Sequence, residues 1–137
     1  CYGRKTGSGY MDYSGPTPVP NPKVAEVVRA YLQAHGIQPK KVPPQEIVDL
    51  MLAAAINEAA FMIEEGICDR PWDMDLAMIY GTGFPPYRGG ILRYADRWGA
   101  ENVLRKLSAL EQQYGAHFKP ARLIADMAQS GKAFYPK

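Results

Sequence analysis

Residues 44–65 read PQEIVDLMLAAAINEAAFMIEE. Pro44 suits the first turn of a helix, where its missing N–H would have no partner, and Glu46 and Asp49 stand near the positive end of the helix dipole. Ile47, Val48, Leu50, Met51, Leu52, Ile56, Phe61, Met62 and Ile63 cover nearly the whole circumference, and Ala53, Ala54 and Ala55 would let neighbouring backbones come close. A helix apolar on most faces is one that other helices surround. The spacing predicts a central helix from about Pro44 to Glu65, stopped by Gly66.

Other helical patterns flank it. Val24, Val27, Val28, Tyr31 and Leu32 recur at helical spacing and end at Gly36. Pro71 opens a short helix carrying Trp72, Leu76, Ala77 and Ile79, with Asp73 and Asp75 near its start, and the run from Gly81 to Pro86 should break the chain. Ile91 to Trp98 closes at Gly99, Val103 to Tyr114 closes at Gly115, and a last helix with Leu123, Ile124, Met127 and Ala128 ends before Gly131. No run alternates β-branched and aromatic residues, so the fold class is all-α, a helical bundle of about five or six helices.

Residues 1–22 differ from the rest. Gly3, Gly7, Gly9 and Gly15 precede Pro16, Pro18, Pro20 and Pro22 on alternate positions, which predicts an extended connector from Gly15 to Pro22. The boundary implied is a tail and linker at 1–22 and a helical domain at 23–137.

Composition narrows the class without naming a partner. The 137 residues allow one ordinary domain, and 16 basic against 14 acidic side chains give a net charge of +2, too little for the electrostatic footprint of a nucleic-acid binder. The two cysteines, Cys1 and Cys68, are too few for a disulfide-stapled secreted fold. No window resembles a membrane span, and no signal peptide is visible. The chain starts with Cys rather than Met, which suits an excerpt of a longer polypeptide.

Chemistry-bearing residues are sparse. His35 and His117 belong to no ligand motif, so no metal site is expected. Cys68 has no base beside it in sequence and reads as a small apolar residue. Gly3-Arg4-Lys5-Thr6-Gly7-Ser8-Gly9 lacks the preceding strand and following helix of a phosphate loop. Gly81-Thr82-Gly83 starts like a dinucleotide fingerprint, but Pro86 occupies the third glycine position and no strand precedes it. Glu64, Glu65, Asp69, Asp73 and Asp75 stand at helix ends and turns, where carboxylates are structurally common. Asn57 and Glu58 interrupt an apolar helix; as a buried polar pair they either hold neighbouring backbone or line a site.

Ile47 to Leu52, Ile56-Asn57-Glu58-Ala59, Glu64-Glu65-Gly66, Asp75-Leu76-Ala77-Met78 and Tyr80-Gly81-Thr82-Gly83-Phe84-Pro85-Pro86-Tyr87-Arg88-Gly89-Gly90 together resemble the helical C-terminal domain of the L-3-hydroxyacyl-CoA dehydrogenase family. The resemblance runs from about residue 45 to 135 and is strongest to multifunctional members, which join an enoyl-CoA hydratase to the dehydrogenase in fatty-acid β-oxidation and carry two copies of the helical domain. Gly3 to Tyr10 resembles the stretch that closes the first copy, and Ser130 to Tyr135 its counterpart closing the second.

The resemblance implies a second helical copy whose parent oxidises L-3-hydroxyacyl-CoA with NAD. The catalytic His and Glu of the family lie in the nicotinamide-binding half, so no catalytic residue and no bound cofactor are expected here. At the position of a supporting Asn in the first copy stands Asp49, an acceptor in place of an amide donor. Tyr80 matches a substrate-contacting tyrosine before the glycine-rich turn; a tyrosine capping the core beneath that turn is the other reading. The implied partners are acyl-CoA and the other domains of the same polypeptide, with self-association into a homodimer through apolar surface left open, and a bacterial cytoplasm as the setting, or a peroxisome or mitochondrial matrix in a eukaryote. The competing class is a free-standing helical interaction module.

Overall fold

The computed structural model describes residues 2–135. The reading of Cys1, and the last two positions of the expected 23–137 domain, lie outside this range. Two compact units divide the chain, Cys1–Lys41 and Val42–Lys137.

In the first unit the connector is folded back. Strand β1 (Met11–Asp12) pairs antiparallel with β2 (Val19–Pro20), matching Met11 with Pro20 and Asp12 with Val19. A two-residue strand lies below the length at which alternation can be read, and proline is tolerated on such an edge. Helix α1 (Pro22–Ala34) follows, with Asn21 as its cap. The Asn21 Oδ1 accepts from the Lys23 N–H at 3.1 Å, while its Nδ2 donates to Gly9 O at 2.9 Å and Ser8 Oγ at 3.0 Å. This side chain ties α1 to the glycine-rich segment, with which it shares one compact unit. Gly9 is required there: a Cβ on it would sit 2.9 Å from the Gly3 Cα.

The second unit is built of α2 (Pro44–Glu64), α3 (Pro71–Thr82), α4 (Ile91–Trp98), α5 (Ala100–Tyr114) and α6 (Arg122–Ser130). Helix α2 packs on α4, α5 and α6, and α3 packs on α4. The core joins Ala53, Ile56, Ala59 and Ala60 of α2 to Ile91, Leu92 and Ala95 of α4, Val103, Leu107 and Leu110 of α5, and Ile124 of α6. The buried alanines of α2 are Ala53, Ala59 and Ala60; of the run Ala53-Ala54-Ala55 only the first is fully buried, the other two being half-buried.

The all-α class and the glycine-marked helix ends agree with the sequence reading; within α2 two details do not. Helix α2 is not surrounded along its full length, because Ile47, Val48 and Met51 in its first turns remain exposed. Glu58 is exposed while Asn57 is buried. Neighbouring helical positions point about 100° apart, so the two do not form a buried pair.

Candidate functional site: the turn after Tyr80

Helix α3 continues through Tyr80 and Gly81 to Thr82, whose hydroxyl donates to the Met78 carbonyl at 2.7 Å. The break falls at Gly83, in the left-handed region with φ 75°, where Gly83 N–H donates to Ile79 O and Phe84 N–H to Met78 O, both at 3.2 Å. These bonds satisfy carbonyls that a helix end leaves open. Phe84 drops into the core edge-on to Tyr94, with ring centroids 6.4 Å apart. Pro86–Arg88 forms a single 3-10 turn, and Gly89-Gly90 leads into α4.

Tyr80 is 85% exposed and Tyr87 77%. The core-capping alternative for Tyr80 is therefore excluded, since Phe84 does that work. Tyr80 extends an exposed apolar face of α3 through Leu76 and Trp72, spaced four residues apart. The Arg88 guanidinium stands over the Tyr94 ring at 5.1 Å and the Tyr87 ring at 5.7 Å.

A carboxylate that reads in sequence only as a helix-end residue links the two sides of this turn. Asp75, 3% exposed, accepts from Leu92 N–H at 2.7 Å, Arg93 N–H at 3.2 Å and the Tyr135 hydroxyl at 2.6 Å. It caps α4 from another helix, because Gly90 at the cap position offers no side chain. Gly90 must be glycine: its φ is 108°, and a Cβ would overlap Asp75 Cβ and Cγ. Burial, then the hydrogen bond to Asp75, push the Tyr135 phenol well above its ordinary range. Asp96 accepts from the Phe134 and Tyr135 N–H groups at 2.9 and 3.0 Å, strapping the tail to α4.

Helix α6 is served the same way. Ala121 at its cap position has no side-chain acceptor, and the Glu64 carboxylate of α2 accepts from Leu123 N–H. Asn57 accepts from Ala121 N–H and donates to Lys119 O, both at 2.8 Å. Of the two roles open to Asn57, the backbone-holding one is what its bonds describe. The signal available in sequence was indirect: Gly90 and Ala121 head helices without a Ser, Thr, Asp or Asn to cap them.

Elsewhere chemistry is sparse. Asp49 on α2 accepts from Gln45 Nε2 at 2.7 Å. His35 Nδ1 lies 2.8 Å from Tyr31 O at the end of α1, and Cys68 Sγ donates to Arg70 O at 3.3 Å. Among the described residues no three His, Cys, Asp or Glu side chains gather as a metal site, and no helix is long and apolar enough to cross a membrane.

Residues 47–135 match the family model for the 3-hydroxyacyl-CoA dehydrogenase C-terminal domain. The chain belongs to this family. The match agrees with the resemblance carried by the motifs between residues 45 and 135. Among relatives, the peroxisomal fatty acid beta-oxidation multifunctional protein AIM1 of Arabidopsis thaliana is 36% identical over 134 residues, covering 94% of this chain and 19% of that protein. The fatty acid oxidation complex subunit alpha of Shewanella amazonensis is 39% identical over 133 residues, covering 97% of the chain and 18% of that subunit. The chain thus spans about a fifth of the length of these relatives.

The family implies NAD in the whole enzyme, but the residues present do not fit a dinucleotide. Gly81 and Thr82 are the last residues of helix α3, not a turn leaving a strand, and the strands described are two residues each.

Proposed function

We propose that the chain is the second helical copy of a multifunctional β-oxidation enzyme, which joins an enoyl-CoA hydratase to an NAD-dependent 3-hydroxyacyl-CoA dehydrogenase. The observation that carries this reading is the family match over residues 47–135 together with relatives named as fatty-acid oxidation proteins. Within that enzyme the chain supplies packing against the other domains and one wall of the acyl-CoA site. Tyr80 is the residue assigned to substrate: its ring offers an apolar face to an acyl chain and its hydroxyl a hydrogen bond. Its exposure, beside Tyr87 and along the face of Leu76 and Trp72, supports that role.

The chain itself carries out no redox step. A hydroxyl oxidation needs a base to take the proton and a nicotinamide to take the hydride. Asn57 is committed to the backbone before α6, and Asp75 to the start of α4 and to Tyr135. The apolar residues left open on α2 and α3 are the surface through which the chain meets other domains, or a second copy when it stands alone. Mixing the chain with NAD and an L-3-hydroxyacyl-CoA should give no NADH absorbance. Turnover would overturn the reading.

A further inference from the structure

We infer that Tyr135 is a positioning residue for the Tyr80–Gly90 turn, acting through Asp75. The inference deepens the acyl-CoA reading and rests on it for the turn's purpose, though not for the coupling itself. The turn is suspended between two posts, the end of α3 at Gly83 and the start of α4 at Gly90. Asp75 on α3 joins them by accepting from Leu92 and Arg93, the second and third residues of α4.

A buried carboxylate is firmly oriented only when donors occupy its oxygens. Oδ1 is bound by Leu92 N–H, whereas Oδ2 has a long 3.2 Å bond from Arg93 N–H and a short 2.6 Å bond from the Tyr135 hydroxyl. Tyr135 therefore supplies the stronger restraint on Oδ2. The tail is built to deliver that hydroxyl. Its backbone is fastened by Asp96, Phe134 lines the crevice formed by Ile56, Val103, Ile124 and Met127, and the Arg93 guanidinium lies 3.5 Å over the Tyr135 ring. Arg93 closes the circuit, because its N–H is on Asp75, its guanidinium on Tyr135 and its stem against Gly89. A strap that only covered the core would need Phe134 and not the phenol.

The test is amide hydrogen exchange on the full chain, comparing the wild type with Tyr135→Phe. The ring under Arg93 is kept and only the hydroxyl is removed. Exchange at Gly89, Leu92 and Arg93 should rise about tenfold while Leu107 and Ile124 in the core stay within about twofold. No rise at the turn would overturn the inference. So would an equal rise in the core, which marks general loss of stability. No ligand is present, so the result is independent of whether Tyr80 meets acyl-CoA.

Discussion

The Tyr135 hydroxyl donates to the Asp75 carboxylate at 2.6 Å across sixty positions of sequence. One contact thereby joins the tail, the body of α3 and the start of α4. The same helix takes a second carboxylate bond at Asp96, so α4 is held at its head by Asp75 and along its flank by the returning chain. A short helix of this kind is marginal alone and depends on such fastening.

The phenol's upward shift has a direct consequence in alkali. Tyr135 stays protonated in the folded chain beyond its ordinary value of 10.0, while the unfolded chain gives up that proton near it. The unfolded state then binds fewer protons, so this contribution is complete below about pH 10 and is lost as pH rises toward the folded value. The melting-temperature difference between wild type and Tyr135→Phe should be constant from pH 7 to 9 and shrink above 10. The other tyrosines cancel in the comparison.

Gly90→Ala should be among the most damaging single changes. A Cβ there overlaps Asp75 and must also accept a φ of 108°. Strain and overpacking together cost about 3 kcal/mol, read as a lower urea midpoint. Gly81, with open space around it inside α3, is the control. Gly81→Ala should hold or raise the midpoint, by up to about 1 kcal/mol.

Asn57→Ala should cost about 2 to 4 kcal/mol, because Lys119 O and Ala121 N–H lose their partner together. Glu58→Ala, one residue on but exposed, should change stability by less than about 0.5 kcal/mol. Equal effects at the two positions would show that Asn57 is not the member holding the backbone.

Where chemistry is local, sequence was enough. Proline at Pro44 and Pro71 and glycine at Gly99, Gly115 and Gly131 mark helix ends because the constraint lies in the residue itself. In sequence Asp73 and Asp75 stand alike near the start of α3, yet only Asp73 turns outward, to an ion pair with Arg70 at 2.7 Å. Nothing near Asp75 in sequence announces donors seventeen, eighteen and sixty positions away. The small sheet escaped for a related reason: alternate prolines argue for an extended chain, and only the partner Met11–Asp12 turns extension into pairing. The exposure of Tyr80 is likewise not written in its own residue: Phe84, four positions on, fills the core in its stead.

Tyr80 tests the functional assignment most sharply, since its exposure separates binding from folding. The most direct measurement replaces the matching segment of the Shewanella amazonensis subunit alpha with this chain and compares dehydrogenase kinetics before and after Tyr80→Ala. The predicted result is a KM for L-3-hydroxyacyl-CoA raised about tenfold, with kcat and thermal stability nearly unchanged, as expected for lost binding shared by ground and transition states. A Tyr80→Ala hybrid with unaltered KM would contradict the placement of this turn at the acyl-CoA site.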